Sequence, residues 1–182
     1  MDTGQTSRTD WSEGQIGYLS CITHGDRYWG GLLVVDIDGD PVDFAWTESV
    51  EIPRFVRPLY GNSAVGTIVS KTFAHGLVSA LSHEPDVLCL DEPTLLARNI
   101  ALDIPLAVLA PPNTPNGGRW ARIQLPEVRQ RGRFWFAERG EEDLIQGILE
   151  AAGKRFSPVG LEEPFQRVRL ALEERVEEET AE

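Results

Sequence analysis

Gly-Leu-Leu-Val-Val-Asp-Ile-Asp-Gly-Asp-Pro-Val-Asp-Phe-Ala-Trp-Thr-Glu, residues 31–48, is the segment on which the architecture of this chain turns. Leu32 to Asp36 is an apolar run with β-branched Val34 and Val35, and Val42, Phe44 and Trp46 alternate with Asp43, Ala45 and Thr47. That pattern predicts two antiparallel strands around the turn Asp38-Gly39-Asp40-Pro41. Gly39 supplies the positive φ of a tight turn, Pro41 removes a backbone donor just after it, and water can solvate the acids.

The same residues support two chemical readings. Val35-Asp36-Ile37-Asp38-Gly39 resembles the first motif of the haloacid dehalogenase-like phosphohydrolases, an apolar strand ending in Asp-x-Asp-Gly-Thr. The resemblance implies Asp36 as nucleophile, Asp38 as acid/base and a bridging Mg²⁺, with Asp91 and Glu92 as later metal-binding acids. Asp40 stands where that motif has threonine, and lysine, which the family sets against phosphate, occurs here only at Lys71 and Lys154. A calcium loop built on Asp36, Asp38, Asp40 and Asp43 has the wrong spacing, with Gly39 fourth and Thr47 twelfth, whereas an EF-hand needs glycine sixth and glutamate twelfth. The hairpin is the reading adopted.

Working outward, residues 16–23 predict a first strand, residues 28–37 a second and residues 41–48 a third, which makes an antiparallel meander. Residues 51–63 form a loop carrying Arg54, Phe55, Arg57 and Tyr60. The steps between Val65, Ile68, Val69, Phe73, Leu77, Val78 and Leu81 predict an amphipathic helix with Ser63 as its N-cap. Residues 86–91 read as a buried strand ending in acid, residues 94–101 as a short helix and residues 106–110 as another strand. Helices follow at 141–152, ended by Gly153, and at 164–179. The class is α/β (α+β): a mixed sheet opening with a meander, a crossover helix and C-terminal helices.

This order resembles the ribonuclease H-like fold over residues 16–110. Catalysis in that fold uses an aspartate inside the first strand, a glutamate on the first helix and an aspartate ending the fourth strand, because two Mg²⁺ ions need several carboxylate oxygens. By position only Asp91 matches; the first strand offers Ser20 and Cys21, and the helix offers Lys71 and His75. The hairpin and Gly160-Leu161-Glu162-Glu163-Pro164-Phe165 are also similar in wording to bacterial proteins without an assigned activity.

The expected organisation is a flexible lead over residues 1–14, with Trp11 docking back; an α/β core over 15–110; a Pro/Gly loop at 111–118; completion of the same domain over 119–172; and an acidic tail at 173–182. Six glutamates in that tail oppose the dipole of the helix they end, so it should fray. The net charge of −12 disfavours binding nucleic acid or anionic lipid through the whole surface. Cys21 and Cys89 lie in apolar runs, the first residues lack a signal-peptide pattern, and no apolar run reaches membrane-span length, so the expected setting is cytoplasmic with no membrane contact.

Six of fifteen arginines fall in residues 119–139, beside Phe134-Trp135-Phe136. Arginine suits bidentate contact with carboxylate or phosphate, and aromatics anchor interfaces or stack on bases. Arg119, Trp120, Arg122, Arg129, Arg131, Arg133 and Trp135 are therefore the candidate partner-binding residues; the competing reading, which the acidic composition favours, has Phe134 and Phe136 facing the core and the arginines paired with the chain's own carboxylates. The functional expectation is a non-catalytic binding or adaptor component of a bacterial system, without a cofactor. Its partner would be another protein, with nucleic acid as a further option through the arginine/aromatic segment. The alternative is a Mg²⁺-dependent phosphohydrolase or nuclease using Asp36, Asp38 and Asp91, with Glu92 as an added metal ligand. It requires those acids to converge.

Overall fold

A computed structural model describes residues 11–114, 118–125, 132–156 and 159–181. Gln15–His24 (β1), Arg27–Asp36 (β2) and Pro41–Trp46 (β3) form the antiparallel meander, and Val50–Glu51 (β4) adds a short second partner to β2. Val87–Leu90 (β5) lies parallel to β1, and Leu106–Ala110 (β6) parallel to β5. Phe134–Glu138 (β8) and Trp120–Arg122 (β7) extend the sheet by antiparallel pairing, giving the order β3-β2-β1-β5-β6-β8-β7.

The turn after β2 is built by Asp36. Its carboxylate accepts the backbone N–H groups of Asp38 and Asp40, both at 2.9 Å, while Gly39 takes φ +86°. Asp38 pairs with Arg155, and the Arg167 guanidinium donates to the Gly39 carbonyl. The acids of this turn hold a hairpin together, as the strand alternation requires.

Helical chain runs from residue 57 to residue 80 with several changes of winding. Arg57–Tyr60 (α1) passes through a 3₁₀ turn at Gly61–Ser63 into Ala64–Ile68 (α2), then a π-helical turn at Val69–Phe73 and finally Ala74–Ala80 (α3). Helix thus begins before Ser63, whose hydroxyl bonds back to the Tyr60 carbonyl and caps nothing. The short helix predicted over residues 94–101 is a 3₁₀ turn confined to Pro93–Ala97, with Glu92 accepting from the Thr94 N–H.

Glu142–Arg155 (α4) continues through Gly153. Glu163–Ala181 (α5) remains helical where fraying was expected. Leu172 and Val176 are buried, Glu179 accepts from the Trp29 indole N–H, and Arg175 pairs with Glu178 and Glu179, which together offset the unfavourable dipole term.

Two apolar cores sandwich the sheet. One lies under α4 and α5 and contains Ile16, Tyr18, Trp29, Cys89, Trp135, Phe165 and Val168; the other lies under the 57–80 helices and contains Leu19, Leu32, Phe73, Leu88, Leu90 and Phe136. Alternation along each strand sends successive side chains to opposite cores. The Phe134-Trp135-Phe136 run follows from this, because an inner strand buried on both faces reads as continuous apolar sequence. Trp135 is 1% exposed and Trp120 3%, so these two candidates are core residues and not a partner surface.

Candidate functional site

β1 and β5 are parallel and adjacent, with Leu19 opposite Leu90, so Asp91, just past the carboxyl end of β5, stands beside Ser20 in the middle of β1. Open α/β sheets place ligand crevices at such ends. The Ser20 hydroxyl donates to the Asp91 carboxylate at 3.1 Å. From α5, Arg169 pairs with the same carboxylate. Asp91 is 8% exposed at its side chain and Arg169 38%. Burial, the largest influence on Arg169, pulls its guanidinium below the ordinary arginine range.

A cavity of about 120 Å³ opens here, lined by Ser20, Cys21 and Arg169, by Asp91 and Glu92, and by apolar side chains that include Val65 and Val69. Val69 belongs to the π-helical turn, a deviation that concentrates at functional positions. Burial, with Glu92 adding to it, pushes the Cys21 thiol up to about 12, which leaves it protonated and a poor nucleophile at neutral pH.

The proposed convergence of acids does not occur. Asp36 pairs in register with Gln15, whereas Asp91 stands beside Ser20, five residues further along β1; at about 3.3 Å per residue these sites are separated by about 16 Å. Asp36 is consumed by its turn, and Asp38 by Arg155. A Mg²⁺ site made of Asp36, Asp38, Asp91 and Glu92 is therefore excluded by the sheet's geometry.

The narrower metal site of the ribonuclease H-like pattern fits the residues present no better. Asp91 is engaged by Ser20 and Arg169, and the Glu92 carboxylate accepts both the N–H and the hydroxyl of Thr94. Among the described residues no group of three or more His, Cys, Asp or Glu is arranged to hold a metal ion. A divalent ion needs several oxygen ligands and would have to displace a guanidinium to reach Asp91.

The arginine/aromatic candidates disperse. Arg119 pairs with Glu138 and also bonds the Asn99 side chain and the Ile100 carbonyl. Arg122 stacks over the Phe134 ring, 3.3 Å from its centroid. Arg129 and Arg131 lie outside the described residues. Arg133 does come to the site: it donates to the carbonyls of Asp91 and Leu109 and lies 3.8 Å from Glu162.

Sequence reasoning missed Ser20 as a partner of Asp91, and it missed Arg169 altogether. Arg169 directly follows Val168, which with Phe165, Leu172 and Val176 forms the buried stripe of α5, and this places it at the stripe's edge. Its partner could be identified only once α5 was packed against β1.

The segment 54–60, in contrast, leaves large side chains in water: Phe55 and Leu59 are each 83% exposed and Tyr60 37%. Arg54 and Arg57 stand among them and share Asp26. No helix among the described residues is long and apolar enough to cross a membrane.

No protein-family model matches the chain. Anthranilate synthase component 1 from two strains of Neisseria meningitidis is 31% identical over 124 residues, a match covering 60% of this chain but only 25% of those proteins. Among solved structures, endonuclease V from Streptomyces avermitilis superposes with a TM-score of 0.55 at 16% identity, covering 93% of this chain and 84% of its own. Bacillus subtilis endonuclease V gives a TM-score of 0.57 at 12% identity, with 94% and 84% covered. The catalytic domain of human endonuclease V gives 0.50 at 13%, with 100% and 91% covered. At these identities the likeness is one of fold, and the fold is the mixed-sheet, ribonuclease H-like architecture of the endonuclease V structures.

Proposed function

We propose that this chain binds nucleic acid at the carboxyl end of its sheet without cutting it. The observation that carries this reading is the segment 54–60, loop and short α1, whose Phe55, Leu59 and Tyr60 are exposed and which leads through Gly61–Ser63 into the helix whose Val65 lines the Asp91 cavity. Exposed aromatics stack on bases and arginines meet phosphates, a combination that suits unpaired strands better than sequence-specific duplex reading. The solved structures sharing the fold are nucleases, which favours a nucleic-acid ligand over a purely protein partner. The overall charge of −12 restricts the contact to this local surface and makes it weak and salt-sensitive.

Metal-dependent cleavage is the second reading. It is favoured by the fold and by Asp91 following β5 directly, beside Ser20, while the occupied state of Asp91 argues against it. Fluorescence anisotropy with labelled single-stranded and duplex oligonucleotides, followed by product analysis in Mg²⁺ and Mn²⁺, tests both. Binding lost in Phe55→Ala/Tyr60→Ala, with intact oligonucleotide throughout, supports the first reading. Cleavage that disappears in Asp91→Asn replaces it with the second.

A further inference from the structure

We propose that Arg169 is the resident cation of the strand-end site: its guanidinium takes the place of a divalent ion against Asp91, so the C-terminal helix closes the site to metal. A carboxylate with 8% exposure needs a positive partner. On this sheet the partner is supplied in cis, by a side chain anchored between Val168 and Leu172, which pack against the sheet at Gly31. The carbonyl side of the same strand end is occupied as well, since Arg133 donates to the carbonyls of Asp91 and Leu109. Ser20 completes the arrangement by giving Asp91 a neutral donor, where a second carboxylate would have supplied a metal ligand and repelled it.

The inference concerns metal occupancy and stands apart from strand binding, so either can fail alone. Its test is titration of Mn²⁺ into the full chain, read by the electron paramagnetic resonance signal of the free ion. Wild type should leave that signal undiminished. Ser20→Asp/Arg169→Gln, which introduces a second carboxylate and removes the guanidinium, should reduce it. Asp91→Asn added to that pair should return it to the wild-type level.

Mn²⁺ binding by wild type that is lost in Asp91→Asn overturns the proposal, as does a folded Ser20→Asp/Arg169→Gln variant that leaves the signal unchanged. Should circular dichroism show this variant unfolded, Arg169→Gln alone is melted with and without millimolar Mn²⁺. A rise in its melting temperature that wild type lacks supports the proposal, and equal response of the two proteins refutes it.

Discussion

Replacing Arg169 by glutamine tests whether the Asp91 pair is an electrostatic unit of the fold. Removing one partner of a buried pair costs about 3–5 kcal/mol, because the other charge is left without compensation. Here Asp91 is 8% exposed but Arg169 is 38% exposed and partly screened by water, and the Ser20 hydroxyl remains as a donor. The expected loss for Arg169→Gln is therefore smaller, about 2 kcal/mol. Asp91→Asn keeps a hydrogen-bonding group beside Ser20 but strands a half-exposed guanidinium, and should lose about 1 kcal/mol. With both charges removed, the double variant should be more stable than the sum of the single losses allows, by an interaction energy of about 1 kcal/mol. Urea unfolding of the four proteins at neutral pH measures this cycle through the shift in midpoint at constant slope. Strict additivity would refute the reasoning, since it would mean that the two charges do not sense each other in solution.

Gly31→Ala should destabilise the sandwich by about 1–3 kcal/mol, because a Cβ at Gly31 would stand 2.8 Å from Val168 Cγ1; thermal unfolding would show no shift if α5 does not press on β2 as described. Gly30→Ala should do likewise through the opposite core, where the added carbon would lie 2.5 Å from the Phe73 ring. Asp43, whose carboxyl is held low chiefly by the Ser82 N–H, with those of Phe44 and His83 assisting, ties the segment after α3 to the edge strand β3. A depressed folded value contributes stability above the unfolded carboxylate pKa of about 3.9 and loses it as pH falls through the folded value. The stability gap between wild type and Asp43→Asn should thus hold at neutral pH and shrink below about pH 4; a gap independent of pH would contradict it. Cys21 should resist alkylation by iodoacetamide at neutral pH in the folded chain and react freely in urea; rapid native labelling would show that its thiol is not suppressed by burial.

The meander was legible because strand alternation and the Asp38-Gly39-Asp40-Pro41 turn agree with each other, and local agreement of this kind survives folding. The crossover order was legible because Pro85 and the apolar run 87–90 separate helix from strand. The π-helical turn at Val69–Phe73 was not, because Val65, Ile68, Val69, Phe73 and Leu77 make an ordinary helical stripe that carries no sign of an extra residue in one turn. The aromatic run at 134–136 was ambiguous, because an inner strand and an exposed anchor share composition. β8 acquires a neighbour on each side only when β6 and β7 pair with it. Asp91 could be singled out as a strand-ending acid, but its significance rests on Ser20, 71 residues away, and Arg169, 78 residues away in the chain. Pairings over such separations are products of topology, and composition carries no trace of them.

The deciding measurement is a single oligonucleotide experiment read for retention and for breakage together, in wild type, Asp91→Asn and Phe55→Ala/Tyr60→Ala, with Mg²⁺ or Mn²⁺ present. Wild type and Asp91→Asn should retain the strand alike, Phe55→Ala/Tyr60→Ala should release it, and none of the three should break it. Metal-dependent breakage by wild type that vanishes in Asp91→Asn would contradict the account.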